Sequence, residues 1–131
     1  MADQGKPFHA HVYYSDAERP AAAALRDELM RLSIEASDLH IPYVGRMVDG
    51  PVGPHPIPQF ELHFNEVSRA GVIAIISAAS LRALIHPLTD DDMADHTSLA
   101  QWIGDPVVLD LSVLDPLGQN KGVPRFGKRD F

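Results

Sequence analysis

Phe8-His9-Ala10-His11-Val12-Tyr13-Tyr14 is the stretch whose reading decides the fold. β-branched and aromatic residues dominate it, which predicts a strand. Side chains alternate across a strand. Phe8, Ala10, Val12 and Tyr14 therefore share an apolar face, and His9, His11 and Tyr13 share the opposite one.

The chain beyond this strand reads as alternating helices and strands. Asp16 caps a first helix, Pro20 suits its first turn, and Leu25, Leu29 and Leu32 form an apolar stripe ended by Ser37 and Asp38. Residues 40–48 read as a second strand, which Pro42 either places on an edge or delays in its start. Pro51, Pro54, Pro56 and Pro58 then exclude regular structure. Residues 59–64 form a third strand, with Phe60, Leu62 and Phe64 on one side and Gln59, Glu61 and His63 on the other. Asn65 caps a second helix over residues 66–80. Its VIAII core would also suit a buried strand, but length and alanine content favour the helix. Residues 82–86 form a fourth strand, stopped by Pro87. Thr89 and the acidic residues after it open a third helix reaching residue 103, and residues 107–113 add a short strand. The order β-α-β-β-α-β predicts an α+β fold, a ferredoxin-like antiparallel sheet of four strands with both crossover helices on one face. The whole of residues 1–131 forms one domain.

The net charge of −7 makes the chain a poor partner for nucleic acid. It is unevenly spread. From residue 118 onward four basic residues face one acidic residue, +3, which leaves −10 for the rest. That tail reads as a solvated end or as a strap on an acidic surface. The absence of cysteine excludes disulfides, thiolate metal sites and a cysteine nucleophile. The longest apolar stretch, residues 70–85, contains Arg82 and is too short to span a membrane. No signal-type apolar core opens the chain, so a cytoplasmic location is expected.

Seven histidines stand in the 131 residues. His9 and His11 lie about 6.8 Å apart with both rings on one face; alone, such a pair is usually just solvated. His55 is locked between Pro54 and Pro56, either as a preorganised ligand or in an exposed turn. His86 ends the fourth strand. With the first and fourth strands as antiparallel neighbours and the first and third as parallel ones, His9, His11, His55 and His86 are expected to meet at one rim. His96 follows on the third helix. His40 and His63 read as structural, with His63 the better placed of the two for the open face. Imidazole and carboxylate ligands without thiolate suit Fe(II), Mn(II) or Zn(II), as three histidines or as two with a carboxylate, for which Glu61 is best placed.

The segments FHAHVYY, GRMVDGPVGPHPIPQFELHF and LIHPLTDDDMADHTSLAQWIGDPVVLDLSVL resemble the DOPA 4,5-dioxygenase family over most of the chain. The resemblance implies an Fe(II) extradiol dioxygenase that cleaves a catechol such as DOPA with dioxygen, on a ferredoxin-like fold and often as a dimer. It carries the family histidines onto His9, His11, His55, His86 and His96. On that basis His11, His55 and His86 are expected to hold the metal, Fe(II) or else Zn(II) or Mn(II). His9 or His96 would act as acid and base, and Tyr13 and Arg46 would orient the substrate. Asp49-Gly50 departs from the more basic lead-in expected before the GPHP loop. A homodimer is expected to cover part of the open sheet face. Two other readings remain: a non-catalytic dimer binding a metal or small molecule, and a cofactor-independent monooxygenase on the same fold.

Overall fold

The computed structural model describes residues 5–36, 38–89 and 91–114. The tail from residue 118, Ser37 and Asp90 lie outside the described residues.

Five antiparallel strands form one sheet in the order β2-β3-β1-β4-β5: β1 (Pro7–Tyr13), β2 (Tyr43–Val44), β3 (Gln59–Asn65), β4 (Ala83–Pro87) and β5 (Gln101–Ile103). The first four follow the expected ferredoxin-like order; β5 extends the sheet beyond β4. Helices α1 (Arg19–Glu35) and α2 (Glu66–Ala78) both pack on one face. There Ala10 and Val12 meet Leu25 and Leu29 of α1, Val72 and Ile76 of α2, and Phe60, Leu62 and Ile85 of the neighbouring strands. The VIAII run is thus helical. Phe8 stacks on Phe64 with ring centroids 5.9 Å apart, closing one end of this core. Burying a leucine or isoleucine here stabilises the fold by roughly 1.5–3 kcal/mol each.

Several expected elements differ, each for a local reason. The strand expected over residues 40–48 is cut to Tyr43–Val44. Val44 pairs with Leu62 and Val48 with Gln59, so four steps on one side match three on the other. The extra residue is a bulge, and Gly45 keeps contact by donating to Glu61 O at 2.7 Å. The third helix is one turn, α3 (Asp92–His96), capped by Asp91 rather than Thr89. Residues 101–103 leave the helical path because the edge of β4 offers them a ladder, and Trp102 lies opposite Leu84. The strand expected over 107–113 is instead a 3-10 turn, Leu111–Val113. The first residue flanking α1 is Glu18, not Asp16, and no side chain caps that end.

The first and third strands are antiparallel, not parallel: Tyr13 pairs with Gln59 and Pro7 with Asn65. The start of β3 therefore lies at the far end of β1 from His9. The reason is topological. Two crossovers on one face, β1-α1-β2 and β3-α2-β4, interleave only if β1 and β3 run oppositely.

The second sheet face is not left open. Segment 49–58 and the segment from α3 to the 3-10 turn fold over it, tied together by Asp110 N–H donating to Pro54 O at 2.8 Å. A small apolar cluster of Tyr13, Leu84, Val107, Ile57, Trp102 and Leu109 seals that layer. Expecting a dimer because the face lacked cover therefore loses its premise.

Candidate metal centre

Alternation along β1, β3 and β4 brings His9, His11, Tyr13, Gln59, Glu61, His63 and His86 onto the covered face, and all are buried. His9 pairs with His86 in register, and His11 with Glu61. His55 reaches the group by a different route from the one expected. The proline-rich segment turns back over the sheet through a Val52–His55 bridge, setting the His55 ring centroid 4.0 Å from that of His11. His96, on α3, lies with its ring centroid 4.2 Å from that of His86. The four histidines expected to meet do so, and His96 lies beside them. Arg46 and His40 are exposed and stand apart.

Hydrogen bonds fix how these rings point. His86 Nδ1 lies 2.7 Å from Pro87 O, and His96 Nδ1 2.8 Å from Asp92 O. A carbonyl only accepts, so both rings carry a proton on Nδ1, and in the neutral form each offers Nε2 as its lone pair. His11 Nδ1 lies 3.1 Å from Gln59 Oε1, with the same consequence. His11 Nε2 and His86 Nε2 then face each other at 3.0 Å. With the amide of Gln59 as it stands, two lone pairs meet head-on, which is unfavourable unless a cation lies between them. Two nitrogens each about 2.1 Å from one ion, at right angles, stand about 3.0 Å apart.

His9 completes a set with these two: His9, His11 and His86 offer ligand atoms all within 4.8 Å of one another. His9, Glu61 and His63 form a second such set. Within it, however, His63 Nε2 and Glu61 Oε2 are 2.6 Å apart. That is shorter than two ligands of one ion stand and suits a shared proton. The His63 ring is stacked on His9, with centroids 3.8 Å apart and 4° between planes, and Tyr43 packs 4.7 Å away. The chemistry of the donor set thus fits a metal ion at His9, His11 and His86, with the Glu61–His63 pair behind His9.

Tyr13 Oη lies 2.7 Å from His55 Nδ1. The phenol has no other hydrogen-bond partner among the described residues; as donor in this contact it leaves the imidazole proton on Nε2. His55 falls outside both close sets.

Burial is the main cause pushing the His9, His11 and His86 imidazoles well below the ordinary histidine value, and neighbouring histidines add to it. His55 is brought down to about 3 by burial and then by His96 and His86. The centre is thus a group of neutral imidazoles, the form that binds metals. Burial raises the Tyr13 phenol, which stays protonated.

Asp49, where a basic lead-in was expected, anchors the covering segment. It accepts two hydrogen bonds from Arg19 on α1 and one from Tyr14. These bonds, from Arg19 first, lower its carboxyl to about 2. On the other side Asp95 is fully buried and accepts from Thr89 N–H and Oγ1, holding α3 and so His96 in place. The sequence reading passed over Gln59 and left His63 mainly structural. The signal for both was available, since residues 59, 61 and 63 alternate onto the face of His11.

Fold and centre together define a small α+β protein with a buried histidine metal-type site. Residues 8–113 match the Dopa 4,5-dioxygenase family, and the chain belongs to it. It is 32% identical over 114 residues to the DOPA 4,5-dioxygenase of Amanita muscaria, which covers 83% of this chain and 50% of that protein. It is also 32% identical over 124 residues to an uncharacterised 21.2 kDa protein of Botryotinia fuckeliana, covering 87% of this chain and 66% of that one. The chain thus spans only half to about two thirds of these relatives. A crystal structure of a candidate dioxygenase from Nostoc punctiforme superposes with a TM-score of 0.73 at 29% identity, over 86% of this chain and 96% of that one. No helix among the described residues is long and apolar enough to cross a membrane.

Proposed function

We propose that this chain is a metal-dependent extradiol dioxygenase that opens the ring of a catechol such as DOPA, with Fe(II) as its ion. The observation that carries the reading is the pair of facing Nε2 atoms of His11 and His86, 3.0 Å apart in a cluster where His9, His11, His55, His63 and His86 are all buried, in a chain of this family.

His9, His11 and His86 would hold the ion. When bound, it supplies Lewis acidity toward the catechol oxygens and one-electron chemistry toward dioxygen. The protein's own groups do the rest. His96 presents Nε2 as a lone pair beside His86 and takes the proton of a catechol hydroxyl there. His55 presents Nε2–H, held in that tautomer by Tyr13, and donates to oxygen on the other side. Relative to the sequence expectation, His9 and His55 exchange roles. Segment 49–58, with the apolar cluster of Ile57, Trp102, Val107 and Leu109, excludes water from the reacting face.

Oxygen uptake with a panel of catechols, after anaerobic Fe(II) loading, tests this reading. The expected result is uptake with at least one catechol, abolished by a chelator. Tight iron binding without uptake on any catechol would favour the non-catalytic binding protein, and uptake that survives chelation would favour a cofactor-independent enzyme.

A further inference from the structure

Gln59 is fully buried on β3, opposite Tyr13 and on the same face as His11. Its two amide atoms are in very different situations. Oε1 accepts from His11 Nδ1 at 3.1 Å. Nε2 is buried with no hydrogen-bond partner among the described residues. A buried amide donor left without an acceptor is costly, and natural cores rarely keep one without a use. Turning the amide over would let Nε2 donate to His11 Nδ1. His11 would then donate from Nε2 to His86 and close the ion position, leaving Oε1 stranded instead. The arrangement found is the one that keeps His11 ready for a cation, and it does so at the expense of the Nε2 donor.

We infer that Gln59 serves the site with both ends of its amide. Oε1 fixes the His11 tautomer so that Nε2 points to the ion, and Nε2 donates to an acceptor oxygen of the substrate bound beside it. Gln59 is thus a positioning residue toward the metal and a binding residue toward substrate. The second role rests on the catechol reading above; the first does not.

Gln59→Glu and Gln59→Met separate the two ends. Glutamate keeps an acceptor for His11 and lacks the donor; methionine keeps the length and lacks both. Two readouts are independent of turnover: Fe(II) affinity measured anaerobically, and anaerobic titration of the iron-loaded protein with 4-nitrocatechol, followed by its visible band. Gln59→Glu should hold iron within about threefold of the parent but bind nitrocatechol at least about tenfold more weakly. Gln59→Met should also lose iron affinity by about 10–100-fold. Should Gln59→Met fail to fold by circular dichroism, Gln59→Asn, which withdraws the amide by one methylene, takes its place with both losses expected. Nitrocatechol binding by Gln59→Glu at the parent affinity overturns the donor role. Parent-like iron affinity in Gln59→Met overturns the orienting role. A parent protein that holds iron yet binds no nitrocatechol refutes the catechol reading and the donor role with it, while the iron result still decides the other.

Discussion

Taking the metal-free protein from pH 7 to pH 5 should remove most of its stability. His9, His11, His55 and His86 are buried and neutral, each depressed below the ordinary histidine value chiefly by burial, His55 to about 3. In the unfolded chain each titrates near 6.5. The unfolded state therefore takes up protons that the folded state refuses. Stability is complete above the unfolded value and falls as pH drops below it, continuing toward the folded values. At pH 5 each group that stays neutral costs roughly 2 kcal/mol; one proton can sit between the facing nitrogens of His11 and His86, so about three groups and about 6 kcal/mol remain. That rivals the whole stability of a typical domain, about 5–15 kcal/mol. Asp95, raised by burial, works in the opposite sense, but as a single group. The assay is urea unfolding followed by circular dichroism at pH 7, 6 and 5 with chelator present. A free energy that changes by less than about 1 kcal/mol over that range would refute the buried neutral centre. Bound metal should raise the whole profile without flattening it, since an ion on those lone pairs keeps protons off the folded state while the unfolded state still takes them up.

Other outcomes follow from particular contacts. His55→Ala strands the buried Tyr13 hydroxyl and should cost about 1–3 kcal/mol, and adding Tyr13→Phe should recover part of that loss in chemical denaturation. His11→Ala and His86→Ala should each abolish stoichiometric iron binding measured by elemental analysis, whereas the exposed His40→Ala should leave it unchanged. Asp49→Asn should loosen the segment that carries His55, read as faster hydrogen exchange at residues 50–57. Ser80 sits at φ 59°, a conformation that costs most residues about 1 kcal/mol, so Ser80→Gly should raise the melting temperature.

Much of the fold was legible because local patterns and tertiary demands agreed. Phe8, Ala10, Val12 and Tyr14 alternate, and the core takes that face. Leu25 and Leu29 recur at helical spacing, and they are buried. The reading failed where local preference was weak and a neighbour decided. Residues 101–103 carry no strong strand signal of their own, yet the unpaired edge of β4 recruits them. The bulge before Val48 depends on the length of β3, which no local pattern in residues 40–48 encodes. The direction of β3 against β1 follows from interleaved crossovers.

The candidate site divides in the same way. Residue types and alternation alone determined that histidines would gather on one sheet face, because a strand has only two faces and the apolar one was taken. The roles within that group were decided by tertiary structure. His55 joins the group because a folded-back segment brings it to Tyr13. His86 presents Nε2 because Nδ1 meets the carbonyl of Pro87. His9 joins His11 and His86 because the antiparallel register sets His9 opposite His86. Sequence spacing carries the identity and face of a side chain. Which nitrogen of an imidazole is free depends on the atom that touches the other one, and only the folded chain supplies that.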